Sequence, residues 1–167
     1  MNESYVECLI KRKSSLLNSL LKVIMIVFVV IVLLGGLLFG NMIVLIIAIA
    51  IGIGAYYVYP MFDIEYEYLY LDREISIDKI MAKQRRKRVA TYDVGKMEIL
   101  APENSHELDP YRSRNIKVID YSSNMDDHKK YLMAYHDETS ECLVKFEPNE
   151  EMIKCIKQIA PRKVKEY

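Results

Sequence analysis

The chain has 167 residues, with 23 Lys and Arg against 23 Asp and Glu, and only three Cys, three His and six Gly. A balanced charge supplies no global field to attract nucleic acid, and the sparse, odd cysteines exclude a disulfide scaffold or a zinc cluster. Cys8, Cys142 and Cys155 read as free thiols in a reduced, cytoplasmic setting, and His106, His128 and His136 as surface or edge histidines rather than ligands, so no metal and no cofactor is expected.

Residues 1–15 are expected to be a cytoplasmic N-terminal segment. A run from Val23 to Phe62 then carries no charged side chain. As one helix rising ~1.5 Å per residue it would extend about 60 Å, roughly twice a bilayer's hydrocarbon core. Gly35, Gly36, Gly40 and Asn41 interrupt it, which predicts a hairpin over 16–60 with helices 16–38 and 42–59 and a turn at 39–41. Each helix is then near the ~20 residues of one crossing. Lys22 can snorkel to the headgroups beside Asn18 and Ser19, Tyr56, Tyr57 and Tyr59 form an interfacial belt, and Pro60 closes the second helix.

Lys11, Arg12, Lys13 and Lys22 precede the first helix while the turn is uncharged, which places both termini in the cytoplasm of a multi-pass protein of the cell membrane. A secretory signal is excluded because its apolar core would be ~7–15 residues. Ala48 and Gly52, like Ala50 and Gly54, are spaced for close helix approach. They serve packing within the hairpin or a homodimer. A re-entrant hairpin that does not cross is the alternative to two spans.

After Pro60 the pattern changes to alternation: Ile64, Tyr66, Tyr68 and Tyr70 on one face, and Glu65, Glu67, Leu69 and Leu71 on the other. Asp72-Arg73 breaks it and residues 74–80 resume it, as a β-hairpin does. Further strands are expected at 87–92, 97–101, 115–121, 131–136 and 142–146, with a long loop over 102–114. Pro148-Asn149-Glu150-Glu151 opens a final amphipathic helix whose Met152, Ile153, Ile156 and Ile159 recur at helical spacing before Pro161. The fold class is therefore α+β: a transmembrane helical hairpin, then about seven antiparallel strands over 63–161 as a bent sheet or open barrel capped by one helix, and a tail over 162–167. That order of elements resembles a pleckstrin-homology-like (PH-like) domain.

The tyrosine-rich run at 65–70, with Ser76-Ile77-Asp78-Lys79-Ile80-Met81-Ala82-Lys83, Glu98-Ile99-Leu100-Ala101-Pro102, Asp120-Tyr121-Ser122-Ser123 and Ala160-Pro161-Arg162-Lys163-Val164, resembles an uncharacterised family of small bacterial two-span membrane proteins. The likeness covers nearly the whole chain. It implies a bacterial source and the same architecture, and no activity.

The densest charge is Lys83, Arg85, Arg86, Lys87 and Arg88, expected at the turn between the second and third strands of the soluble part. It can contact anionic headgroups or a partner, or serve as a basic edge that blocks strand pairing. No aromatic residues interleave it, so nucleic acid is not expected. Tyr66, Tyr68 and Tyr70 read as a core face. No nucleophile-and-base set or phosphate-binding glycine loop is apparent, and Asp126-Asp127-His128 and Glu103 with His106 read as loop residues, so no catalytic residue is assigned. The resulting expectation is a non-enzymatic, membrane-anchored binding or scaffold module for a protein partner or anionic lipid. The alternatives are an accessory subunit of a membrane transporter or envelope complex and, from another class, a small membrane enzyme.

Overall fold

The computed structural model describes residues 5–13, 16–83, 85–114, 116–137 and 140–165. These residues fall in two compact units, one within Met1–Lys13, Glu65–Ile80 and Arg86–Tyr167, the other within Ser14–Ile64 and Met81–Arg85. The expected strand residue Asn115 and the Gln84 of the basic run lie outside the described residues.

The second unit is an antiparallel helical pair, α1 (Leu16–Leu38) and α2 (Met42–Val58), which ends in a 3-10 turn at Tyr59–Phe62. Gly40 makes the reversal at φ +62, a conformation other residues adopt at a cost. Asn41 then caps α2 by accepting from the amides of Ile43 at 3.0 Å and Val44 at 3.4 Å, which satisfies two of its otherwise orphaned donors. α1, and α2 together with its 3-10 turn (Met42–Phe62), are long and apolar enough to cross a membrane, and little of either is buried inside the protein. Gly36 and Ala48 are their buried positions. The helices meet there because a Cβ on Gly36 would lie 2.9 Å from Leu45 Cδ2 and 3.2 Å from the Leu45 amide nitrogen.

The first unit holds eight strands in two four-stranded sheets. One runs in the order β1 (Val6–Lys11), β2 (Ile64–Leu71), β3 (Glu74–Met81), β4 (Arg85–Asp93). The other holds β5 (Met97–Pro102), β6 (Lys117–Asp120), β7 (Tyr131–Asp137) and β8 (Ser140–Phe146), ordered β5-β7-β8-β6. Seven of the strands, β2 to β8, fall within 63–161 as expected, and among the described residues an eighth, β1, from the segment read as separate from the domain, pairs antiparallel with β2. The arrangement is not wholly antiparallel, since β6 runs parallel to β8. A long connection between β6 and β8, which passes through β7, permits that direction.

Tight turns follow from left-handed residues: Asp72 and Arg73 join β2 to β3 at φ 49 and 70. Positive φ at both central positions matches the twist of paired strands. Between the sheets the core is aromatic. Tyr68 meets Phe146 edge to face at 5.6 Å and Tyr92 meets Tyr135 at 4.9 Å. The Tyr66, Tyr68 and Tyr70 stripe is buried, as a core face should be.

Within the second sheet β7 is buried on both faces, which is why it shows no polar alternation over Tyr131–Tyr135. Ile99, Ala101, Leu132, Ala134 and Leu143 point to a cluster closed by Leu108, Tyr111 and Ile116 from the 102–116 connection. That connection is less irregular than its composition implies, with a 3-10 turn at His106–Leu108 and one helical turn, α3 (Asp109–Arg112). Last comes α4 (Glu150–Ile159), capped by Asn149 accepting from the Met152 amide at 2.9 Å. Met152, Ile153 and Ile156 are buried, each worth about 1.5–3 kcal/mol of apolar transfer. Residues expected as a tail also join the fold, for the Leu100 amide donates to Lys163 O and the Lys165 amide to Leu100 O, both at 2.8 Å.

Candidate functional site

The basic run is a strand rather than a turn. The reversal falls at Ala82 and Lys83, at φ 47 and 57, and Arg85 to Arg88 open β4, an edge strand of the first sheet. Strand alternation divides the cluster. Arg86 Nε donates to Asp78 Oδ2 at 2.7 Å and Arg88 Nε to Asp78 Oδ1 at 3.1 Å, while Arg86 also pairs with Glu67. Asp78 is 3% exposed and Glu67 5%, so these two arginines neutralise carboxylates the sheet has taken out of water. Lys83, Arg85 and Lys87 are exposed and show no ion pair among the described residues.

Glu67 belongs to a second relationship. Burial, and a hydrogen bond shared with Glu7, push its carboxyl above the ordinary range. The hydrogen bond that Tyr5 Oη donates to Glu7 Oε2 at 2.7 Å, followed by the one from Glu67, holds Glu7 below it.

Ser123, His128 and Glu147 form a polar node that sequence reasoning did not single out as a group. Glu147 is 4% exposed; its Oε1 accepts from the Ser123 amide at 3.0 Å and from Ser123 Oγ at 2.8 Å, and its Oε2 accepts from His128 Nδ1 at 2.9 Å. A hydrolytic relay needs the carboxylate on one ring nitrogen and the serine on the other. Here both face Nδ1, with Ser123 Oγ at 3.3 Å, and the fully buried serine donates its proton to the carboxylate. The node is built to hold a loop. It also ties down the N-terminal segment: Lys13 N donates to Ser123 O at 2.7 Å, and Cys8 Sγ lies 3.8 Å from Glu147 O.

His128 sits at the rim of a polar cleft of about 480 Å³ that Asp126, Asp127, Glu103, Asn104 and Lys130 also line. The structure therefore brings Asp126-Asp127-His128 together with Glu103. It sends His106 elsewhere, beside Asp109. Within the cleft Glu103 is paired with Lys145. Among the described residues no group of three His, Cys, Asp or Glu could hold a metal ion.

The small residues of α2 separate into two pairs. Ala48 is buried, and a Cβ on Gly52 would lie 3.8 Å from Val29 Cγ1, so this pair faces α1. Ala50 and Gly54 are exposed.

An eight-stranded, two-sheet domain with a terminal helix, interrupted after its first strand by an apolar helical hairpin, defines a PH-like protein with two candidate membrane spans. The family model described as Bacterial PH-like domain (DUF6106) matches residues 2–166, and the chain belongs to that family, whose function is unknown. No curated protein and no solved structure matches it.

Proposed function

We propose that the protein is a non-enzymatic, membrane-anchored binding module of the bacterial cell membrane, whose α1–α2 hairpin crosses the bilayer twice and whose PH-like domain contacts anionic headgroups from the cytoplasmic side. The observation that carries this reading is the β1–β2 ladder. Lys11 and Glu65 are register partners, so the chain leaves and re-enters one sheet at adjacent points. An even number of crossings is then required of anything inserted between them. Uncovered apolar helix surface supports the bilayer as its solvent, because groups left bare in water would cost about 25 cal/mol per Å².

Lys83 and Arg85 supply the headgroup contact. They belong to the same compact unit as the hairpin, and the Ala82 amide donates to Asp63 O at 2.9 Å where α2 gives way to the sheet. Each cation near an anionic surface contributes about 1 kcal/mol. Full-length protein in phosphatidylglycerol nanodiscs at low salt should show slower amide exchange over 81–89 than in phosphatidylcholine nanodiscs. Reversing Lys83, Arg85 and Lys87 should remove the difference; equal exchange in the two lipids would sink the headgroup reading. The outward-facing Ala50 and Gly54 support a second reading, an accessory subunit docked on another membrane protein. Crosslinking from α2 in native membranes tests it.

A further inference from the structure

Between the middle of α1 and the end of α2, the hairpin unit holds a cleft of about 570 Å³, within the ~300–1,000 Å³ typical of small-ligand sites. Its walls are apolar, from Met25 and Ile26 of α1 and Gly52 and Ala55 of α2, and its rim carries Tyr59 and Arg85. Gly52 helps to open it, since no protein atom comes closer than 3.8 Å to a Cβ placed there.

The rim is cationic. Arg85 is exposed without an ion-pair partner among the described residues, in contrast to Arg86 and Arg88. Lys22 Nζ lies 5.1 Å from the Tyr59 ring centre, which brings a second cation to the same end of the hairpin. The hydrogen bond from the Ala82 amide to Asp63 O fixes the turn that presents Arg85.

We infer that this cleft is a binding site for one anionic glycerophospholipid: an acyl chain lies between α1 and α2 along Met25, Ile26 and Ala55, and the phosphate sits on Arg85 with Lys22 beside it. The assignment rests on the hairpin spanning the bilayer. An apolar cleft between membrane-spanning helices has little to hold water and faces acyl chains, while its cationic edge meets the headgroups. A guanidinium matches a phosphate in bidentate geometry. Two cations exceed what one phosphodiester balances and would repel the ammonium of a zwitterionic headgroup, so the charge selects an anionic lipid.

The test uses full-length protein reconstituted in nanodiscs of mixed phosphatidylglycerol and phosphatidylcholine, extracted gently and weighed by native mass spectrometry. Wild type should retain one phosphatidylglycerol per chain in preference to phosphatidylcholine. Arg85→Glu should lower that retention by about tenfold or more, as the loss of a charge-assisted pair implies. Ala55→Leu, which fills the cleft and leaves the charge unchanged, should also lose the lipid, whereas Lys154→Glu, an exposed cation of α4 outside the cleft, should keep it. Equal retention of both lipids by wild type, or retention unaltered in both Arg85→Glu and Ala55→Leu, would overturn the site while leaving the anchor intact. Release of wild type from membranes by alkaline carbonate would overturn the anchor and the site together.

Discussion

Lys11 and Glu65 face each other across the β1–β2 ladder, and the whole α1–α2 hairpin is strung between them. A cysteine replacing exposed Phe39, in a background without native cysteines, should therefore react with an impermeant maleimide added outside intact cells. One replacing Tyr5 should react only after lysis. Reaction of both from outside, or of neither, would contradict two crossings.

The close approach of α1 and α2 depends on Gly36 and not on its neighbour. A Cβ at Gly36 would lie within 3.2 Å of three Leu45 atoms, one of them backbone, whereas a Cβ at Gly35 would meet nothing within 4 Å. Gly36→Val should cost about 1–3 kcal/mol through overpacking. Gly35→Ala should be neutral or slightly stabilising through its helix propensity. Thermal unfolding in micelles separates the two, and equal shifts would place the helix contact elsewhere.

Arg86→Ala should destabilise the first sheet by about 1–3 kcal/mol, because it leaves buried Asp78 and Glu67 short of a charge-assisted donor, with the arginine's own half-exposure keeping the cost below that of a fully buried pair. Lys87→Ala, on the exposed side of the strand, should stay within about 0.5 kcal/mol. Amide exchange of β3 is the readout.

The Glu7–Glu67 pair gives the sheet a pH dependence. A carboxyl whose folded pKa is raised stabilises the fold while protonated, and that contribution is lost as pH rises from the ordinary value near 4.5 to the raised one. Glu7, lowered, acts in the opposite sense, and Arg86 and Asp78 face the same group. Glu67→Gln removes the raised titration. Its stability relative to wild type should therefore increase between pH 4.5 and pH 7, as followed by thermal unfolding. A difference that is flat or falls with pH would show that the buried carboxyl is not protonated.

Glu147→Ala should cost about 1–3 kcal/mol by stranding the Ser123 amide and hydroxyl, and should loosen residues 121–125 in exchange measurements. Ser123 itself should resist a fluorophosphonate probe, because its proton is committed to Glu147 and its oxygen is fully buried. Labelling of Ser123 would require His128 to turn and would reopen a nucleophilic role.

Local chemistry made much of this protein legible. The uncharged run with its glycine and asparagine interruption yields α1 and α2 nearly to the residue, because a membrane-length helix and its turn depend on neighbours in sequence. The tyrosine alternation and the Asn149 cap likewise define β2 and α4. The strand Val6–Lys11 was not legible, since its partner lies beyond the hairpin and a short Val-Glu-Cys-Leu-Ile-Lys run reads equally well as a flank. The division of the basic cluster also needed the fold: only the register of β4 beside β3 decides that Arg86 and Arg88 meet Asp78 while Lys83, Arg85 and Lys87 stay free of ion pairs among the described residues. Sequence determined the elements and the apolar hairpin. Tertiary structure alone decided that the hairpin interrupts the domain after its first strand, because strand pairing is a contact between distant residues and no local preference specifies it.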